Sequence, residues 1–487
     1  MRDTRSIRAV LLLATIAGLS LVIRLCPLLQ RPGVAWAMTG DAIGYVRLAE
    51  GLASGCGFAP RFGDSCGPAE LLRTPGYPLF LSAMPSLRTA LFVQDVLGAG
   101  VCLLVGLFAW RQWGLIAGVL AGLLFGFDIP SIFWGNRVMS DTLFTSLITS
   151  GMLLQLVAIK KGTLEGWTVA AIVGAGLLLG TAVLVRPIAQ VLIIEAPIPV
   201  LLLHRVSLQK RLALILLTLC LPSMVIVAWS YRNYEQRGVW TFTSDGALEL
   251  YLYTAGQALA YETARPLAEV QADMLRSLPR IGNSNSLDSS GKTFPDSWSK
   301  TFRVRPVYTG AEEEGWSNTF DADPVKMEQR AVRILLDHPW AVPVVTLEAF
   351  LKNCFWVGRH ELGSFLFGPG FDLGRTEAGF GSGRKLFATL AYPWLSFLIF
   401  VEFALLAYAW VGVGMALTRI AHARLGSVGL ILIPLCGALL LLAVATFPAM
   451  PQARYRVPAM PMLAMVAAFG WTGGARRWRD DVREDEP

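Results

Sequence analysis

Runs of about 18 or more consecutive apolar residues recur along the whole chain, each long enough to cross a bilayer as a helix. In hydrocarbon every backbone N–H and C=O must find its partner inside the segment, so such runs fold as helices. They fall near 9–29, 89–110, 113–130, 139–159, 166–186, 188–203, 212–230, 387–416, 426–447 and 457–474. The pattern predicts an all-α polytopic membrane protein with about ten spans, in a range of roughly 8 to 13. Charge content agrees: 16% of the residues are charged, against about a quarter in a soluble chain. The segment 341–358 is apolar too, but Glu348, Lys352 and Asn353 suit a helix lying in the interface better than one crossing it.

The formal net charge of +7 could point to nucleic acid. Most of the excess lies instead in short basic clusters between apolar runs, and no nucleic acid partner is expected. One side carries the N-terminus, Arg111, Lys160-Lys161, His204-Arg205 with Lys210-Arg211, Arg419 with Arg424, and Arg476, Arg477 and Arg479. By the positive-inside rule that side is cytoplasmic, as are both termini. The first outer loop holds Arg31, Arg47, Arg61, Arg73 and Arg88, which weakens the contrast there, but the alternation elsewhere decides it.

The first apolar run follows Arg2, Arg5 and Arg8, and Ala35-Trp36-Ala37 mimics a signal-peptide cleavage site. That tripeptide lies too far from the apolar centre, and Arg24 interrupts the run, so an uncleaved first helix is the reading. The expected organisation is a transmembrane module over 1–230 with an outer loop at 30–88, and an outer domain over 231–386 with amphipathic helices. A second transmembrane module over 387–475 and a charged tail, 476–487, complete it.

The outer loop 30–88 is too polar to cross the membrane. It carries Asp41, a short amphipathic stretch, and Arg73 ahead of Pro75-Gly76-Tyr77-Pro78. Cys56 and Cys66, flanked by glycines, have the spacing of a stapled turn in an oxidising compartment, the alternative being two unpaired thiols. No CxxC occurs and the four histidines are scattered, so no metal site is expected.

Other polar residues map to the same membrane face. Arg24 and Asp95 lie near the outer ends of their helices, Asp141 opens the fourth and Arg186 closes the fifth. Arg232 follows the seventh, and Arg454 and Arg456 lie in the turn before the last. Ionisable groups at membrane depth are costly and usually functional; the bland alternative is interfacial anchoring, because all helix ends are polar. A lone carboxylate suits general-base work on a hydroxyl or amine. Guanidinium forks suit phosphate oxygens. Together they fit an enzyme whose leaving group is a lipid-linked phosphate.

The stretches TGDAIGYVRLAEGLASG (39–55) and LLRTPGYPLFLSA (71–83) resemble the first outer loop of GT-C glycosyltransferases. The group they resemble is that of the dolichyl-phosphate-mannose protein mannosyltransferases and aminoarabinose transferases. MSDTLF (139–144), VRPIA (185–189), WSYRNYEQRGVWTFTSDGALELYL (229–252) and RYRVPAMPMLAM (454–465) continue the match in order, with 256–325 the variable part. The resemblance implies a GT-C fold with an extracytoplasmic α or mixed layer, in the bacterial inner membrane with its site on the periplasmic face. It implies transfer of a sugar from a polyprenyl-phosphate donor to an extracytoplasmic acceptor, with inversion.

In that reading Asp41 is the general base, its alternative being an N-cap for the following helix. Arg73 contacts the donor phosphate, and Arg232, Arg186, Arg454 and Arg456 are further candidates that otherwise pair with carboxylates. Tyr45, Tyr77 and Asp141 line the substrate pocket, where packing and helix capping are the alternatives. The first outer loop has no DxD motif, and Leu72 stands where some relatives carry an acid, so no cofactor or divalent metal is expected. A transporter is the rival from another class, but transporters tend to hold charges near the midplane and often show internal repeats. A non-catalytic polyprenyl-phosphate-binding scaffold is the third reading.

Overall fold

The computed structural model describes residues 2–38, 40–62, 65–161, 166–201, 206–279, 322–356, 362, 393–420, 425–446 and 452–473. The charged tail 476–487, the stretch Ile281 to Phe320, and His204, Arg205 and Arg424 lie outside the described residues. The chain is overwhelmingly helical and forms a multi-pass membrane protein. Among the described residues seven helices are long and apolar enough to cross a membrane, or up to nine if each of two bent pairs is one span.

Three of the expected spans differ from the straight helices the hydropathy suggested. The run 113–130 is broken, with Leu115–Gly126 followed by Ile129–Gly135 at 52°. Asp128 causes the break by capping the second piece, its carboxylate accepting from Ser131 N at 2.9 Å. The run 188–203 is a 3-10 turn, Pro187–Val191, then the short helices Leu192–Glu195 and Pro197–Leu201. Pro197 and Pro199 have no N–H to continue the ladder. The last span is shortened to Met460–Thr472, after a 3-10 segment Ala453–Ala459. The segment 341–358 appears as Ala341–Phe355, turned 105° from the preceding Pro324–Asp337 helix.

Helices pack where small residues let backbones touch, as expected where lipid supplies no hydrophobic drive between them. A Cβ on Gly118 would sit 2.7 Å from Gly106 O, so Leu87–Trp113 and Leu115–Gly126 are in near-backbone contact. A Cβ on Gly470 would overlap the Gly412 carbonyl oxygen at 1.7 Å, which locks Met460–Thr472 against Pro393–Ile420.

A second, smaller core lies at one end of the bundle. Tyr251, Leu252, Ala255, Val270, Met274, Met327 and Ala331 bury one another there, drawn from residues 245–278 and the Pro324–Asp337 helix. Asp323 caps that helix, accepting from Val325 N and Lys326 N. The loop after the first helix carries the helix Gly40–Ala53 and a two-stranded hairpin pairing Arg61 with Cys66. Cys56 and Cys66 are joined as a disulfide with Cα atoms 5.5 Å apart.

Candidate active site

Three tethers bring the distant segments to one point. Val138 N donates to Ala37 O at 3.0 Å, setting the start of the Gly40–Ala53 helix beside the turn before Asp141. Thr74 Oγ1 donates to Val185 O at 3.2 Å, and a Cβ on Gly76 would strike the Leu184 carbonyl at 2.8 Å. The Thr-Pro-Gly-Tyr-Pro turn is thereby pressed against the end of the Gly166–Val185 helix, next to Arg186. Ser244 N and Thr243 Oγ1 donate to Leu71 O and Leu72 O at 2.9 and 2.6 Å, fixing residues 243–249 alongside Arg73.

At that point Arg454 bridges two carboxylates. Its Nη1 donates to Asp41 Oδ2 at 3.1 Å, and its Nε donates to Asp141 Oδ1 and Oδ2 at 3.1 and 3.0 Å. Arg73 Nη2 donates to Asp41 Oδ1 at 2.7 Å, and Arg186 Nη1 donates to Asp141 Oδ1. Asp141 is wholly buried, while the Asp41 side chain keeps 30% of its surface open. Asp41 and Asp141 each stand in the first turn of a helix, where the backbone dipoles favour negative charge. An aromatic ring backs every guanidinium: Tyr45 under Arg73 at 5.1 Å, Trp134 under Arg454 at 5.2 Å and Phe144 under Arg186 at 5.8 Å.

Burial alone would push the Asp41 carboxyl up, but the Arg73 and Arg454 guanidiniums outweigh it and hold it far below the usual carboxylate range. A different group lies on the next wall. Burial pushes Glu249 up to about 8, with the neighbouring Asp245 charge adding to the effect. Asp245 is raised as well, chiefly by burial and against the pull of Arg73. Three guanidiniums thus converge on Asp41 and Asp141, and burial favours the neutral form of the Asp245 and Glu249 carboxyls beside them. That suits an incoming anion.

Asp41, Tyr45, Arg73, Asp141, Arg186 and Arg454 are thus brought together. The other candidates are not. Arg456 is fully buried on the far side of its turn: it donates to Glu402 Oε1 at 2.8 Å and to Trp356 O at 2.9 Å. Arg232 clamps the loop by donating to Glu70 O and Phe58 O, both at 2.8 Å, and contacts neither Asp41 nor Asp141. Tyr77 is a core residue, its hydroxyl donating to Gln94 Oε1 at 2.7 Å and its ring edge-on to Tyr45. Arg24, which donates to Ser131 O at 3.0 Å, is an internal strut.

Sequence reasoning missed Asp245, Glu249, Tyr253 and Tyr455. The charge environment of Glu249 includes Arg73, Arg186 and Arg454, and that of Tyr253 includes Asp41. The available signal was a pair of acids four residues apart in the aromatic run Asp245 to Ala255, which continues as a π-helix over Glu249–Ala255. Glu70 was also missed; it accepts from Leu72 N and Arg73 N and shapes the backbone before the arginine. Among the described residues no group of three or more His, Cys, Asp or Glu side chains could hold a metal ion.

No family profile and no curated protein sequence matches the chain. Solved structures that are similar to it include an archaeal oligosaccharyltransferase, AglB from Archaeoglobus fulgidus, in complex with an inhibitory peptide and a dolichol-phosphate. The match has a TM-score of 0.48 and 13% identity, and covers 97% of this chain and 52% of the other. ArnT from Cupriavidus metallidurans bound to undecaprenyl phosphate is similar at a TM-score of 0.38 and 16% identity, covering 96% and 79%. The chain spans about half the length of the archaeal enzyme.

Proposed function

We propose that this chain is a membrane glycosyltransferase of the GT-C type, moving a sugar from a polyprenyl-phosphate donor to an extracytoplasmic acceptor with inversion. The observation that carries the reading is Asp41, a partly open carboxylate set between Arg73 and Arg454. A carboxylate pinned by two arginines is a weak base. An incoming donor phosphate competes for those arginines, and each hydrogen bond it draws away makes Asp41 more basic. Donor binding therefore arms the base.

In the step itself the acceptor O–H or N–H donates to Asp41, which takes the proton as the acceptor atom attacks the anomeric carbon. The bond from that carbon to the phosphate oxygen breaks on the opposite side. The electron pair leaves with the polyprenyl phosphate, whose charge Arg73, Arg186 and Arg454 receive. A phosphate ester needs no proton to leave, so one carboxylate suffices. Asp141 holds Arg454 and Arg186 in place, and Tyr45 supports Arg73 from below. The site faces the extracytoplasmic side of the inner membrane, and the donor enters from the lipid.

The experiment uses purified protein, polyprenyl-phosphate sugars and cell-envelope extract. Wild type is expected to release free polyprenyl phosphate and form a glycosylated product. Arg73→Met is expected to raise KM for the donor by about 10-fold or more, the loss of one charge-assisted hydrogen bond. Donor binding without transfer under every acceptor tried would favour a carrier or scaffold instead.

Two further outcomes are expected. Above a pH of about 8, Glu249 ionises and adds negative charge beside the arginines, so KM for the anionic donor rises with pH. Glu249→Gln, fixed neutral, flattens that limb; an unchanged limb would remove Glu249 from the site. Arg73, Arg186 and Arg454 already occupy Asp41 and Asp141, so transfer is proposed to need no divalent metal. Activity is expected to survive a chelator, and loss restored by a divalent ion would overturn this point.

A further inference from the structure

A second polar feature lies inside the bundle, away from the arginine cluster. A cavity of about 30 Å³ is lined by Gln155, Met152 and Gly151 on one helix, Glu195 on the broken segment, and Met462 on the last helix. It has room for one or two water-sized particles. Counting along the helices from Asp141 and Arg186, it lies roughly 10–20 Å beneath them, within the apolar layer.

Glu195 is 6% exposed, and its Oε1 has no hydrogen-bond partner. None of the ion pairs among the described residues includes it. The carboxylate sits in a niche that only glycine leaves open: a Cβ on Gly437 would stand 2.7 Å from Oε2 and 3.2 Å from Oε1.

The backbone around Glu195 is broken in an informative way. Pro197 and Pro199 have no N–H to return to the carbonyls of Ile193 and Glu195, four residues back. A helical ladder interrupted at membrane depth is tolerated where it lines a cavity, and a carbonyl that has lost its N–H partner beside a carboxylate suits a cation. An unpaired carboxylate in hydrocarbon costs several kcal/mol or more unless it is neutralised. A neighbouring amide, Gln155, can turn either its oxygen or its NH2 toward an occupant.

We propose that the Glu195 carboxylate and Gln155, which line the cavity together, form a site for one small monovalent cation, sodium or a proton, with the carbonyl of Glu195, left free by Pro199, beside it. The site is independent of the sugar-transfer reading. The full chain, purified in detergent or lipid nanodiscs, is treated with a hydrophobic carbodiimide, which attacks protonated carboxyls in apolar surroundings. Modified peptides are read by mass spectrometry across a pH series, with sodium chloride or choline chloride as the salt.

Wild type is expected to be modified at Glu195, faster as pH falls. If sodium is the occupant, sodium at ten times its Kd slows modification by about tenfold, by mass action, while choline does nothing. Modification that follows pH but ignores sodium identifies the proton as the occupant. Glu195→Gln, neutral and of the same shape, abolishes the modified peptide while the protein still elutes as a folded species. Gln155→Leu keeps the carboxyl but weakens its dependence on sodium or pH. No modification of wild type at Glu195, modification indifferent to both pH and sodium, or a Gln155→Leu protein identical to wild type in both responses would overturn the proposal.

Discussion

Replacing Asp41 with asparagine is expected to lower kcat for sugar transfer by about 10²–10⁴-fold, the usual contribution of a general base. Asparagine keeps the shape and can still accept one hydrogen bond from Arg73 or Arg454, so the loop should stay in place. It removes the negative charge that those arginines now share. Donor affinity should therefore hold or rise, because the phosphate no longer competes with a carboxylate for them. A fall in kcat with donor KM unchanged or lower is the signature of a lost base. A rise in donor KM with kcat intact would instead make Asp41 a mere anchor for the arginines. Because Asp41 is held ionised well below the usual carboxylate range, the acid limb of the wild-type profile is expected below that of an ordinary aspartate, and to move up as donor saturates the enzyme.

The second large effect concerns stability. Arg456 and Glu402 are both fully buried, and Asp128 Oδ1 lies 3.8 Å from the same guanidinium. Glu402 also accepts from Ile129 N at 3.1 Å, at the bend between two helices. Arg456→Met removes the cation and leaves two carboxylates facing each other in a dry interior. Breaking a buried pair this way costs about 3–5 kcal/mol. The variant is expected to lose folded half-life steeply in detergent at a fixed temperature. Arg456→Met with Glu402→Gln restores much of it, since the amide oxygen still accepts from Ile129 N without a charge. Wild-type persistence of the single variant would show that the cluster is already neutral.

Much of the site could be read from residue order. Asp41, Arg73, Asp141, Arg186 and Arg454 share one membrane face by counting alternate helices, and they meet in space. Arg456 shows why the count was not enough. It stands two residues from Arg454 in a 3-10 segment, where each residue turns about 120°, so the two side chains leave the backbone in different directions. One reaches the carboxylates at the helix ends; the other reaches Glu402. Hydropathy treats both as arginines in the same turn.

Hydropathy windows were equally blind to breaks. The run 188–203 has span-like composition, yet Pro197 and Pro199 interrupt it, and Glu195 lies on a cavity, away from the membrane face where the other charges gather. The chain 115–135 bends at Asp128 because a cap and a proline start a new helix there. Asp245 and Glu249 carry a local signal as a pair of acids, but what brings them to Arg73 is a long-range tether, Ser244 N and Thr243 Oγ1 to the carbonyls of Leu71 and Leu72. No local pattern encodes that pairing.

In the proposed reaction Asp41 deprotonates an acceptor while a polyprenyl monophosphate departs. The most direct measurement is phosphorus and proton NMR of one turnover mixture, following the free lipid phosphate and the anomeric configuration of the product. One equivalent of polyprenyl monophosphate per product and an inverted anomeric centre are expected, both lost together in Asp41→Asn. Retained configuration, or product formed by Asp41→Asn at the wild-type rate, would contradict it.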